Sequence, residues 1–473
     1  MRHPRAGARL QDGRARDPAP AREGPGRAGP ALRHPALPRG GARQRIAADD
    51  DARAPPRLVH RPGEEAVRRR AFLASAGVAT VAAGITARAN AATSGGFDVA
   101  VVGAGTFGAW TAWHLRRAGR RVALVDAYGA GNSRASSGGE TRVIRMGYGA
   151  DEVYSRWSQR SLGLWKELTQ TSGQKLFHET GVLWMARDQD PLTTATLATL
   201  ARLGIRHERL SRAELESRWP QIGLGPITWA IHEPESGALM ARRAVQVVAA
   251  QAARDGVEVR TAAIAPPRGK GRLGSLTTAQ GPISAGAFVF ACGPWLPKLF
   301  PELLGERIFP TRQEVFYFGP PAGDARFAPP AMPVWVDFAE EIYGIPDIES
   351  KGFKVAPDKH GPPFDPDTGE RVVSAQGLAG VREFVARRFP ALKDAPLVAS
   401  EVCQYENSSN GDFLIDKHPE LEDVWLVGGG SGHGFKHGPA VGEYVAARIA
   451  DGAAVDAKFS LATKQKAQKR TVY

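Results

Sequence analysis

Three glycines and one acid carry the first legible chemistry in this chain. Gly103, Gly105 and Gly108 follow directly on an apolar run at 99–102, and Asp126 stands 18 residues beyond the last of them. Gly103 allows a tight turn, Gly105 lets the backbone approach a pyrophosphate, and Gly108 lets a helix lie close against the strand. A helix over 109–117 then points unpaired N–H groups and the positive end of its dipole at phosphate oxygens. Residues 121–125 read as the next strand, and Asp126 at its end is placed to accept hydrogen bonds from a ribose. Together these residues predict dinucleotide binding rather than a plain glycine turn in an α/β domain.

Other groups with chemical potential are spread along the chain. Arg142 and Arg145 follow a Gly/Ser-rich loop at 129–139; their separation of three places them on one side of a helical turn. Lys354 lies in a short strand predicted over 351–355. A strand starting at residue 424 runs into a second glycine-rich turn that holds Gly432, His433, Gly434 and Lys436. The two cysteines, Cys292 and Cys403, exclude a CxxC metal site and make a disulfide framework improbable.

The elements that must position these residues alternate between helix and strand. Helices are expected over 153–168, 192–203, 211–219, 241–255, 378–389 and 438–450, with Ser211 and Glu214 forming a capping box. Strands are expected over 257–260, 287–291, 313–318 and 342–346, and the polar, basic tail from residue 463 is expected to fray. The net charge of +13 is concentrated at the N-terminus, where residues 1–92 hold 18 arginines, no lysine and 8 acids; the remainder carries only +3. A basic groove for nucleic acid is therefore not expected.

Residues 1–66 are rich in Arg, Pro, Gly and Ala, a composition that cannot bury enough apolar surface to order itself. They read as a disordered leader or as an extension from a misplaced start. Residues 67–92 differ, because Arg68-Arg69-Arg70-Ala71-Phe72-Leu73 precedes a mildly apolar run and then Ala89-Asn90-Ala91. The run is too short to span a bilayer. Its order of basic, apolar and small residues is that of a secretory signal, and the Arg-Arg-x-Phe-Leu pattern resembles a twin-arginine (Tat) signal. The expectation is export through the Tat machinery to a bacterial periplasm.

Several stretches, in order, resemble the FAD-dependent glycine/D-amino-acid oxidase (DAO) family, above all its monomeric sarcosine oxidase and N-methyltryptophan oxidase branch. They are the glycines 103–108, Thr141-Arg142-Val143-Ile144-Arg145, Gly352-Phe353-Lys354, Cys403-Gln404-Tyr405, the stretch from Asp412 to Asp416, and Ser431-Gly432-His433-Gly434-Phe435-Lys436. The resemblance covers about 97–450. It implies an α/β protein, monomeric by the branch it resembles, with a Rossmann-type FAD-binding domain from 97–178, 236–307 and 398–455. An interleaved antiparallel-sheet substrate domain of α+β type would come from 179–235 and 308–397.

The resemblance also implies roles. FAD would be held by Gly103, Gly105, Gly108, Asp126, Gly432 and Gly434, with Cys403 bonded to the flavin. Arg145 and Lys436 would hold the substrate carboxylate, Arg142 would set a positive charge beside the flavin ring, and Lys354 would promote reaction with O2. Tyr405 and His433 would line the site. The implied reaction is hydride transfer from a secondary-amine amino acid such as sarcosine, imine hydrolysis, and formation of H2O2. Two other readings remain at this point: a dehydrogenase that passes electrons to a quinone or carrier, and an exported flavin-binding protein without turnover. The chain departs from the branch where Ser137-Gly138 replaces a histidine pair, where Asp358 replaces a histidine, and over 408–412. These departures alter the pocket wall and leave the substrate open.

Overall fold

A computed structural model describes residues 96–468, all within one compact unit spanning Ala87–Tyr473. The leader and the twin-arginine segment lie outside the described residues. Within the described part, two large sheets and two small ones carry the fold.

The first sheet has the order Leu414–Lys417, Val424–Gly428, Ile283–Phe290, Phe97–Val102, Val122–Asp126 and Glu258–Thr261. All pairs along it are parallel except that of the outer strand Leu414–Lys417. Strand Phe97–Val102 shows why a continuous apolar run is needed. Val99 and Val101 belong to one buried cluster with Trp110, Trp113, Val441 and Val445, whereas Ala100 and Val102 belong to another with Phe288, Phe290, Leu296 and Phe300. A parallel strand covered on both faces has no polar side to show. Each fully buried side chain of this size contributes about 1.5–3 kcal/mol. Helices Thr106–Arg117 and Gly438–Asp451 pack against each other over one face. Their approach depends on Gly442, where a Cβ would fall 2.6 Å from the backbone carbon of Trp110.

The second sheet has eight strands, in the order Leu397–Ser408, Ile308–Phe318, Phe353–Pro357, Ile342–Ile345, Val334–Asp337, Val182–Ala186, Trp229–Glu233 and Glu208–Ser211. It is antiparallel apart from the pair Val334–Asp337 and Val182–Ala186, so it is a mixed sheet rather than the purely antiparallel one expected. Helix Ala375–Arg388 covers it, packing Val381, Phe384 and Val385 on Trp335, Phe353 and Phe389. Leu397–Ser408 pairs along its length with Ile308–Phe318, so a domain boundary at 398 would separate this strand from its partner in the second sheet. Cys403, Tyr405 and Glu406 therefore reach the site from the second sheet. A small antiparallel sheet, Thr141–Ile144, Gly237–Met240 and Phe177–His178, and a two-stranded parallel one, Gly271–Arg272 with Leu421–Glu422, complete the set.

Two local expectations are corrected. Thr141–Ile144 is a strand, so Arg142 and Arg145 are not neighbours on a helical turn. Pairing with Gly237–Met240 extends the backbone at Arg142, and Arg145 lies one residue past the end of that strand. The tail does not fray at residue 463. Lys464 is fully buried, its Nζ donating to the Lys458 carbonyl at 3.0 Å, and the Gln465 amide donates to Ser409 Oγ at 2.8 Å. No helix among the described residues is long and apolar enough to cross a membrane.

Candidate active site

The glycine turn shapes the floor of a cavity of about 400 Å³. Gly103 has φ +99°, and a Cβ there would lie 2.3 Å from the Ala291 carbonyl oxygen, so only glycine fits. At Gly108 a Cβ would fall 1.8 Å from the Gly103 oxygen, which is the close helix-to-strand packing the spacing predicts. Gly105 differs: its Cβ would meet no protein atom nearer than Ser137 Oγ at 3.6 Å, and it borders the cavity. Its smallness leaves room for something the cavity holds rather than for the fold. Helix Thr106–Arg117 opens at this point with no side-chain cap, leaving its first N–H groups available to an anion.

Asp126 accepts hydrogen bonds from the amides of Ala104 (2.7 Å) and Tyr128 (2.8 Å), so it braces the glycine turn while lining the cavity. Burial raises its pKa, and those amides pull against the rise. On the far wall stand Tyr405, Glu406, Gly430, Gly432 and Gly434. Gly432 has φ +78°, and a Cβ on it would press within 2.7 Å of the Tyr405 ring. Glu406 is the residue that the sequence reading missed. Its Oε1 accepts from the Gly430 amide at 3.2 Å, and its Oε2 is buried without a hydrogen-bond partner among the described residues. Burial pushes its pKa up to about 7. An orphaned buried oxygen in a cavity wall calls for a polar ligand group. A large cofactor with hydroxyls, a pyrophosphate and a ring edge fits this cradle, as FAD would.

A second, smaller cavity of about 60 Å³ shares Arg142, Tyr405, Gly432 and Phe435 with the first. Arg145, Lys436, Asp358, His433, Trp184 and Tyr343 complete much of its lining. Arg145 is only 8 % exposed, with its guanidinium 4.5 Å from the Tyr148 ring centre and 4.7 Å from that of Trp184. Lys436 Nζ donates to Tyr148 Oη at 2.7 Å and to the His433 carbonyl at 3.0 Å. Burial first, and the Arg145 charge second, hold the Lys436 pKa well below its usual value. The loop that aims Arg145 is anchored by buried Glu233, which accepts from the amides of Met146 (2.7 Å) and Gly147 (3.0 Å) and from Trp184 Nε1 (2.7 Å). Two buried cations beside an aromatic wall suit a small carboxylate.

The other expected site residues take distinct places. Arg142 sits where the cavities meet, donating to the carbonyls of Thr141 (2.8 Å) and Ser136 (2.6 Å) and lying 3.1 Å from Cys403 Sγ. Cys403 contacts the cavity wall through Arg142 and Ser136. His433 stacks on Phe413 at 4.8 Å between ring centres, with Nε2 3.0 Å from the Gly411 carbonyl, so it packs as well as lines. Lys354 borders neither cavity. It is 1 % exposed, donates to the Thr141 carbonyl at 3.0 Å, and is brought down to about pKa 7 by burial and then by the Arg142 charge. Among the described residues no cluster of His, Cys, Asp and Glu could hold a metal.

Comparison with known proteins agrees with this geometry. The family described as "DAO: FAD dependent oxidoreductase" matches residues 98–448. The chain is 31% identical over 358 residues to a monomeric sarcosine oxidase of Bacillus sp. (strain NS-129), covering 74% of this chain and 92% of that one. It is 29% identical over 354 residues to the human peroxisomal sarcosine oxidase, covering 73% and 90%. An N-methyl-L-tryptophan oxidase of Salmonella newport (strain SL254) is 28% identical over 368 residues, with 74% and 94% covered. Among solved structures, L-proline dehydrogenase from P. horikoshii superimposes with a TM-score of 0.67 at 20% identity, covering 77% of this chain and 97% of that one, a likeness of fold alone.

Proposed function

This chain belongs to the DAO family of FAD-dependent oxidoreductases, and from that premise we propose that it oxidises a secondary-amine amino acid, N-methylated or cyclic, such as sarcosine, with O2 as acceptor and H2O2 as product. That it is an FAD-dependent oxidoreductase acting on amino-acid CH–NH donors rests on the family and the relatives. The observation that carries the finer reading is the pair of buried cations, Arg145 and Lys436, in a small cavity that opens onto the cofactor-sized one.

Gly103, Gly105, Gly108, Asp126 and Glu406 would hold FAD, which when bound supplies a hydride acceptor for substrate and an electron donor for O2. Arg145 and Lys436 bind the substrate carboxylate and so fix which C–H faces the junction of the cavities. Trp184 and Tyr148, packed against the Arg145 guanidinium, and Phe435 in the lining keep water from these charges, which strengthens each of them. Arg142, locked by two carbonyls, places a permanent positive charge at the junction. The same guanidinium donates to Cys403 Sγ at 3.1 Å and so holds the sulfur in place for a covalent bond to the cofactor. We assign Cys403 that role; acid precipitation should leave the yellow colour in the pellet for the wild type and release it for Cys403→Ala.

A panel of N-methyl and cyclic amino acids, assayed for peroxide with the purified protein, tests the reading. Release with secondary amines and little with primary ones supports it; release with neither counts against it. One observation favours a dehydrogenase as the second reading: Lys354, the residue assigned to oxygen, is turned onto the Thr141 carbonyl and borders neither cavity. Slow reoxidation by air, together with fast reoxidation by a soluble quinone, would select it. The Arg68-Arg69 segment remains our basis for proposing export by the twin-arginine route.

A further inference from the structure

The smaller cavity is lined by three cations, Arg142 at its junction with the larger cavity and Arg145 and Lys436 within, and by a single carboxylate, that of Asp358. Asp358 follows strand Phe353–Pro357, and its amide donates to the Glu341 carbonyl at 2.6 Å, which fixes the backbone at the cavity edge. Its Oδ1 accepts from Tyr405 Oη at 2.7 Å. The described hydrogen bonds give Oδ2 no comparable anchor, so the carboxylate keeps capacity for another donor. Around it stand Tyr405, Tyr343 and His360 in the wall and the charges of Arg145 and Lys436 across the space; Glu341 and Lys354 act from behind.

Arg142 is taken up by the Thr141 and Ser136 carbonyls and Cys403 Sγ, so the charges left to a ligand are the cations Arg145 and Lys436 and the anion Asp358, the complement of a zwitterion. A bare carboxylate would be drawn to Arg145 and Lys436 but repelled by Asp358. An amino acid satisfies both ends at once. Resting on the amine-oxidation reading above, we propose that Asp358 is the amine-recognition residue of this site, receiving the substrate N–H and taking its proton. In that step an N–H bond of the substrate ammonium breaks, an O–H bond forms on the Asp358 carboxylate, and no electrons change hands. The amine is left neutral, with its lone pair free to assist loss of hydride from the adjacent carbon. Burial and the nearby Glu341 raise the affinity of Asp358 for a proton, while Tyr405, Arg145 and Lys436 restrain it. An acid shifted upward in this way accepts a proton more readily than an exposed aspartate. Occupation of this position by an acid rather than a histidine thus gives the chain a proton acceptor beside its carboxylate clamp.

The test uses the FAD-loaded protein, its Asp358→Asn variant and its Asp358→Glu variant. Anaerobic bleaching of the flavin by saturating sarcosine is followed against pH, and the flavin spectrum is titrated with propionate, a carboxylate without an amine. The wild type should reach its plateau rate near neutral pH. In Asp358→Asn the rate should rise about tenfold per pH unit towards the free amine's own pKa, leaving it at least about tenfold slow at pH 7. Propionate should bind that variant several-fold more tightly, because a repelling charge has gone. Asp358→Glu should recover much of the wild-type profile, which a merely structural role would not produce. Identical pH profiles in the wild type and Asp358→Asn would overturn the proposal, as would weakened propionate binding in Asp358→Asn. If no amine bleaches the wild type, the amine-oxidation reading itself fails. The propionate titration then decides on its own whether Asp358 faces the ligand: tighter binding in Asp358→Asn sustains it, and unchanged binding overturns it.

Discussion

Replacing Lys436 with methionine removes one arm of the carboxylate clamp and keeps most of its volume. In the folded protein the ammonium is 4 % exposed, bonded to Tyr148 Oη and the His433 carbonyl, and 5.2 Å from the Tyr148 ring centre. A hydrogen bond to a charged group in such a place contributes about 1.5–3 kcal/mol, so a small carboxylate should bind roughly 10–150-fold more weakly to Lys436→Met. The pH dependence sharpens the expectation. Burial and Arg145 depress the Lys436 pKa in the free protein, whereas a bound carboxylate would raise it again. Between those two values binding takes up a proton, and affinity in the wild type should fall up to about tenfold per unit rise in pH. The variant has no such group, and its own contribution to that slope should vanish. Titration of the flavin spectrum of the FAD-loaded protein with propionate at several pH values measures both effects. Affinity within about twofold of the wild type, or an unchanged slope, would refute the assignment of Lys436 to the clamp.

Three further outcomes follow from separate parts of the fold. Gly103→Ala drives a methyl group against the Ala291 carbonyl at a backbone angle that side chains rarely adopt, so the variant should fail to retain FAD on gel filtration even where circular dichroism shows it folded. Arg388→Met strands buried Asp337, to which Arg388 now donates at 2.6 Å, and should lower unfolding stability in denaturant by about 3–5 kcal/mol. For Lys354 the folded pKa of about 7 lies below the usual 10.5, so the unfolded chain binds more protons between those values. Stability of the wild type relative to Lys354→Met should therefore rise with pH from about 7 to 10.5; a flat difference in melting temperature over that window would contradict the lowered pKa of the buried amine.

What could be read in the sequence divides along physical lines. The turn at Gly103 to Gly108, the strand before it and Asp126 after it are local in the chain, and the structure places them together as the spacing requires. The Ser211 and Glu214 capping box forms for the same reason, since both partners lie within one helical turn. The smaller cavity is different. It draws Arg145, Trp184, Asp358, Tyr405 and Lys436 from five separated stretches, and no periodicity announces that they meet. The resemblance brought Arg145, Tyr405 and Lys436 forward, but Trp184 had no motif of its own. Glu406 was passed over because a glutamate ending the run Cys403-Gln404-Tyr405 reads as a solvated strand residue until pairing with Ile308–Phe318 turns it inward. Arg142 and Arg145 were misread as helical neighbours because nothing in Thr141–Ile144 reveals its partner strand a hundred residues away, at Gly237–Met240. The tail from residue 463 was expected to fray on composition, but Lys464 is held by carbonyl and hydroxyl partners that only the folded chain supplies.

The central claim is that the two cavities together hold FAD and an amino acid bound through its carboxylate and oxidised at its secondary amine. The most direct measurement is anaerobic titration of the purified, FAD-loaded protein with sarcosine, N-methyltryptophan and proline, followed by admission of air. Bleaching of the flavin by at least one of these amines, slowed strongly in Arg145→Met, with one peroxide released per flavin on reoxidation, is the predicted result. A flavin that binds but keeps its oxidised spectrum with every secondary-amine amino acid tried would contradict the account.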